Sequence, residues 1–236
     1  MIIGNDLEVI DFTSKLPEAN GGYNTRPQEW VNEIIIHHAA GSFFSMDESD
    51  EHALLRRIHD QHINQGWPGI SYPLMVFPSG RIYLCGDLNT VRYHCAGPDD
   101  PETSQVVSRF NERGLAICMA GNFSTSYPNL GLLQAARRAV ANVQFAYGSF
   151  LPVVGHTDRF NTQCPGSSWE QWRSDVTVLP PTPVEVETAA TAPNLDNVRG
   201  YLETPIRVAT LLEALESPHA AHLRTAVDGI RQELGL

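Results

Sequence analysis

The sequence predicts an α/β fold, a central β-sheet flanked by helices, on three grounds. Ile34-Ile35-Ile36 is an unbroken apolar run with no alternation, as in a strand buried on both faces. Residues 130–147 place Leu133, Ala136, Val140, Val143 and Tyr147 on one helical face and Arg137, Arg138 and Gln144 on the other. Leu74-Met75-Val76-Phe77 and Arg81-Ile82-Tyr83-Leu84-Cys85 flank Pro78-Ser79-Gly80, which reads as a hairpin.

The remaining elements follow in chain order. Val9-Ile10-Asp11-Phe12 suggests a short opening strand, and residues 21–27 form a loop by their Gly, Asn and Pro content. Residues 33–38 then make the central strand. A helix is expected over residues 51–64, with Ser49 and Asp50 as caps and Leu54, Leu55, Ile58 and His62 recurring at helical spacing to mark its packed stripe. His59 and His62 lie three apart on one face, and we read them as polar residues flanking that stripe. Residues 66–72 end the helix and lead into the hairpin. The span 97–110 carries Pro98, Asp99, Asp100, Pro101 and Glu102, which favours an exposed loop. Gly148 stops the helix of residues 130–147, Val153-Val154 returns to the sheet, and Trp169 and Trp172 pack a last short helix.

Composition shifts after that point. The run from Pro180 to Pro193 is rich in Pro, Thr and Ala and reads as an extended linker. The predicted organisation is therefore a main domain over residues 1–178, a linker over 179–193 and a small helical segment over 194–236. In the last segment Val198, Leu202, Val208, Leu211, Leu212 and Leu215 precede Pro218, and Leu223, Val227, Ile230 and Leu234 follow it. A unit of that size is small for independent stability. Docking on the main domain, self-association through this segment and binding to an external partner are all open to it, and its charge balance separates none of them.

The chain of 236 residues is 42 % hydrophobic and 18 % charged, ordinary values for a globular protein with a sizeable core. Its formal net charge of −11 argues against nucleic acid and against adhesion to anionic lipid, both of which need basic residues. No stretch approaches the ~20 apolar residues of a membrane span, so no membrane insertion is expected. The N-terminus lacks the basic and apolar regions of a signal peptide, which implies synthesis in the cytosol. Cys85, Cys95, Cys118 and Cys164 are then expected as free thiols, with Cys85 and Cys118 in the core.

One stretch concentrates the chemistry. His156 and Cys164 stand at the two ends of a loop that follows a short strand and stops at Pro165-Gly166. An imidazole and a thiolate suit zinc, and a loop of this length brings both to one ion. A third donor is available from His37-His38, where the central strand ends. Three protein ligands with one position open is the pattern of a catalytic zinc.

The ordered set, a strand ending in His-His, a Ser71-Tyr72 pair, then His156, Thr162 and Cys164, resembles the zinc-dependent N-acetylmuramoyl-L-alanine amidases. That family includes phage amidase-type lysozymes and animal peptidoglycan recognition proteins, and the resemblance covers roughly residues 8–176. It implies a peptidoglycan-amidase fold with a central mixed β-sheet flanked by helices. It makes His37, His156 and Cys164 the metal ligands, with His38 on the opposite face of its strand. It implies catalytic roles for Tyr72 and Thr162, and it places His94 and Asn111 along the substrate groove.

The resemblance further implies bacterial peptidoglycan as partner and hydrolysis of the amide between N-acetylmuramic acid and L-alanine, with Zn2+ as cofactor. Recycling amidases of the cytoplasm resemble this family but commonly carry a glutamate where this chain has Cys118, which favours the endolysin branch. Such an enzyme would act on the wall after release from a phage-infected or lysing cell. Recycling of anhydro-muropeptides and non-catalytic peptidoglycan binding are the alternative readings.

Overall fold

The computed structural model describes residues 9–95 and 109–177. The chain divides into two units, Met1–Pro180 and Pro181–Leu236, and all described residues belong to the first. The linker expected over 179–193, the helical segment expected over 194–236 and most of the loop expected over 97–110 lie outside the described residues.

Six strands form one mixed sheet in the order β1-β4-β3-β5-β2-β6. They are β1 (Val9–Asp11), β2 (Glu33–His38), β3 (Leu74–Val76), β4 (Ile82–Leu84), β5 (Gly114–Met119) and β6 (Val153–Gly155). The hairpin expected from the Pro-Ser-Gly turn is the antiparallel pair β3–β4, and β1 joins β4 in parallel. On its other side β3 runs parallel to β5, β5 to β2, and β2 to β6.

The centre of the sheet is the β2–β5 pair, in register from Glu33↔Gly114 to His38↔Met119. Every residue of both strands is buried, as the unalternating Ile34-Ile35-Ile36 run requires. Ile34 and Ile36 join Leu115, Ile117 and Met119 in a core closed by α3 (Leu130–Tyr147) and α4 (Trp169–Val176). The opposite core holds Met75, Tyr83, Cys118 and Ala120 beneath Leu54, Leu55 and Ile58 of α1 (Glu48–Asn64). Period-2 alternation in the strands thus divides their side chains between two helical layers.

Helix ends follow local chemistry. The Asn129 side chain caps α3 by accepting from the Leu132 N–H at 2.8 Å, and Gly148 closes it with a left-handed φ of 58°. The cap of α1 is Asp47, not Ser49 or Asp50. Its carboxylate accepts from the Ser49 N–H at 2.7 Å, so the helix begins at Glu48, earlier than the hydrophobic stripe suggests. A five-residue helix absent from the sequence expectation, α2 (Arg109–Arg113), leads directly into β5. Among the described residues no helix is long and apolar enough to cross a membrane.

One buried polar network ties α1 to the hairpin. The Glu51 side chain has no exposed surface and accepts from Ser79 Oγ at 2.5 Å, Arg81 Nε at 3.0 Å and Tyr83 Oη at 2.8 Å. Removing the carboxylate leaves three donors without their acceptor, a loss on the order of 3 kcal/mol for a buried charge pair. Glu51→Ala is therefore expected to lower the denaturation midpoint strongly in urea, with Glu51→Gln intermediate.

Acid sensitivity is built in at the other end of α1. Nδ1 of His62 accepts from the Ser71 N–H at 3.1 Å, and burial first, then the neighbouring His59, lowers its pKa to about 4. An unfolded histidine titrates near 6.5. Between those values the unfolded chain binds the proton first, so stability falls as pH drops from about 6.5 to about 4 and levels off below. In that window the wild-type unfolding free energy should fall up to about 1.4 kcal/mol per pH unit more steeply than that of His62→Gln, as read from urea denaturation at several pH values.

Candidate metal centre

The site is assembled at the carboxyl end of β2. Successive side chains of a strand point to opposite faces, so His37 and His38 part company. Nδ1 of His38 accepts from the Phe123 N–H at 3.1 Å and is committed to the fold. His37 pairs in register with Cys118 of β5 and shares the face covered by α1.

β6 lies parallel to β2 and delivers His156 into a single 3-10 turn, His156–Asp158. This brings the His156 and His37 rings to a centroid separation of 4.5 Å. The loop that carries His156 and Cys164 is held along its length. Asp158 Oδ2 accepts from the Gly155 N–H at 2.7 Å and from Trp169 Nε1 at 3.0 Å. Gly155 has to lack a side chain, because a Cβ there would stand 2.6 Å from that indole nitrogen. Arg159 forms a charged pair with the buried Glu33 carboxylate through both Nε and Nη2. The Thr157 N–H donates to the Cys164 carbonyl at 2.7 Å, which closes the loop, and the Cys164 N–H donates to Thr162 Oγ1 at 3.2 Å.

Within this frame the ligand atoms of His37, His156 and Cys164 all lie within 4.8 Å of one another. His37 Nδ1 stands 3.6 Å from Cys164 Sγ. A tetrahedral zinc with ordinary bond lengths sets a nitrogen and a sulfur ligand ~3.5 Å apart, so this edge already has the right length. Burial lowers the His37 pKa well below the usual imidazole range, with His156, His94 and His38 adding to the effect. Burial, then His38, brings His156 to about 4. Both rings therefore offer neutral nitrogens. Burial pushes the Cys164 thiol up to about 12, against the pull of the His38 N–H at 3.3 Å. Two neutral imidazoles and a desolvated thiol form a donor set that fits a zinc ion, whose charge would favour the thiolate.

Tyr72 borders the trio, its ring 5.4 Å from that of His37. Two histidines of α1 fix the backbone before it. His59 Nδ1 accepts from the Ile70 N–H at 3.2 Å and His62 Nδ1 from the Ser71 N–H at 3.1 Å. Among the described residues, neither belongs to the group of three side chains that could hold a metal ion. Their grip on residues 70–71 was not foreseen, although their spacing on one helical face was the visible sign of it.

His94 and Asn111, expected along the substrate groove, are both buried. His94 Nδ1 lies 3.1 Å from His37 Nε2, and its Nε2 lies 3.3 Å from the Gly114 carbonyl oxygen. Burial, then the nearby Arg26, lowers the His94 pKa to about 3. Asn111 Oδ1 accepts from the backbone N–H groups of His94 at 3.0 Å and Cys95 at 2.7 Å. Glu33, Asp158, Arg159 and Trp169, which hold the loop, were not singled out as site residues. Only the proximity of Asp158 and Arg159 to His156 hinted at them.

Known proteins resemble this chain in sequence and in fold. The Amidase_2 family, N-acetylmuramoyl-L-alanine amidase, matches residues 25–167. A peptidoglycan-recognition protein of Drosophila melanogaster is 29 % identical over 153 residues, covering 61 % of this chain and 76 % of that protein. Two solved structures share the fold. Peptidoglycan recognition protein-LE in complex with tracheal cytotoxin superposes with a TM-score of 0.59 at 22 % identity, over 70 % of this chain and 92 % of the other. The endolysin N-acetylmuramoyl-L-alanine amidase LysCS of Clostridium intestinale gives 0.52 at 20 % identity, over 73 % and 97 %. The family match spans more than half of the chain and contains all three candidate ligands, and the chain belongs to the N-acetylmuramoyl-L-alanine amidase family.

Proposed function

We propose that this chain is a zinc-dependent peptidoglycan hydrolase of the endolysin type, cleaving the amide between N-acetylmuramic acid and L-alanine. The convergence of His37, His156 and Cys164 beside Tyr72 carries this reading. The relatives lend it a substrate class, since one shared fold is that of an endolysin amidase and another holds a monomeric peptidoglycan. Cys118, buried opposite His37, leaves the site without the carboxylate common in recycling amidases.

In this reading His37, His156 and Cys164 hold the zinc, which supplies the Lewis acidity that polarises an amide carbonyl and makes water a competent nucleophile at neutral pH. Tyr72 is a phenol in a half-buried position, protonated at neutral pH, and its O–H donates to the negative charge that develops on the carbonyl oxygen. Thr162 Oγ1 already accepts from the Cys164 N–H, which leaves its own hydrogen free for the same oxygen. It adds a dipole but no positive charge. The Asp158–Trp169 and Arg159–Glu33 contacts keep the loop donors in place while the substrate changes shape.

Purified peptidoglycan incubated with the protein should yield new alanine amino termini and no new reducing sugar ends. Chelation should stop the release and zinc should restore it. Cys164→Ala should fall to background while retaining wall binding, and Tyr72→Phe should lose about 10²-fold in kcat. Wall binding by zinc-loaded wild-type protein without alanine release would establish a recognition module instead. Activity confined to soluble anhydro-muropeptides would establish recycling.

A further inference from the structure

We propose that His94 is a positioning residue for the metal site, setting the tautomer of His37 so that Nδ1, the nitrogen facing Cys164, carries the lone pair. The inference rests on the zinc reading above and gives His94 a task other than substrate contact.

Hydrogen-bond chemistry leaves one consistent proton assignment. His94 Nε2 stands 3.3 Å from the Gly114 carbonyl oxygen, an atom that can only accept. That nitrogen therefore carries the hydrogen. A neutral imidazole has one N–H, so His94 Nδ1 is an acceptor. His37 Nε2 lies 3.1 Å from it and must donate. The lone pair of His37 is then on Nδ1, 3.6 Å from Cys164 Sγ. Reversing the chain would set a nitrogen lone pair against the Gly114 oxygen.

The surroundings hold His94 to this role. Arg26 Nη1 donates to the same Gly114 oxygen at 2.8 Å, and its positive charge opposes a second one on the ring. Asn111 Oδ1 grips the His94 and Cys95 N–H groups and so fixes the backbone from which the ring projects. The His94 and His37 ring centroids are 5.1 Å apart, a separation compatible with two imidazoles that meet nitrogen to nitrogen. A metal-binding histidine is commonly held this way through its second nitrogen, by a carboxylate, carbonyl or water. Here the holder is a second histidine, passing the polarity of a main-chain carbonyl to the ligand.

The test uses the full chain. In zinc-free wild-type protein, long-range ¹H–¹⁵N correlation of the imidazoles should show both His37 and His94 as Nε2–H tautomers. Zinc affinity, read by chelator competition, should fall about 10- to 100-fold in His94→Phe and His94→Gln. The amide oxygen of Asn can occupy the place of His94 Nδ1, so His94→Asn should recover most of the loss. Gln reaches the place of Nε2 and offers His37 no acceptor.

An Nδ1–H tautomer for His37 in the zinc-free protein would overturn the proposal, as would equal losses in the Asn and Phe variants or an unchanged affinity in folded His94→Phe. Should the Phe variant fail to fold, the wild-type tautomer and the Asn–Gln comparison still decide. A wild-type protein with the expected tautomers but no zinc binding would overturn the metal reading and leave the relay standing.

Discussion

A strand can offer consecutive side chains only to opposite faces, and at the end of β2 that constraint sorts two adjacent histidines into separate tasks. His38 goes to the α3 side and takes the Phe123 N–H; His37 goes to the α1 side and meets the other donors. A slip of one residue in the β2–β5 register would exchange them and bury Ile35 among the wrong partners. The long parallel pairing from Glu33 to His38 is therefore as much a part of the site as the three converging side chains, because it fixes which imidazole faces Cys164.

The other two donors come from a loop, which on its own would position them poorly. This loop is treated as a rigid element instead. Its main chain closes on itself between Thr157 and Cys164, and its charged side chains are satisfied by α4 and by the base of β2. The Arg159–Glu33 pair has a particular geometry, since it links the loop to the first residue of the same strand that carries His37. Both sides of the donor trio are thus referred to β2.

Much of this was readable in the sequence, and the parts that were not share a cause. The limits of β2 and α3 were legible because an unbroken apolar run and an Asn-to-Gly framed amphipathic stripe are local signals. The donor trio was legible through the order and residue types of His37, His156 and Cys164. The start of α1 was misjudged because Asp47 caps from outside the hydrophobic stripe. α2 went unseen because five residues are too few to show a period. The surroundings of His94 depend on Gly114, twenty residues away, and on Arg26, and no spacing rule reveals which carbonyl a distant ring will meet. Local patterns place elements, whereas the partners of buried polar atoms emerge only when the elements are packed.

Asn111 has a consequence for how this scaffold tolerates change. Its amide oxygen holds the N–H groups of residues 94 and 95 from the far side of the segment between them, and Arg26 ties the carbonyls of Asn111, Glu112 and Gly114 into the same knot. The two ends of that segment are therefore fastened to each other rather than through whatever lies between. For a loop closed at its base, doubling the length costs only about 0.6 kcal/mol of closure entropy. Residues 94, 95 and 111–114 thus form a base that is closed by Asn111 and Arg26, and the imidazole pair of His37 and His94 takes its support from that base.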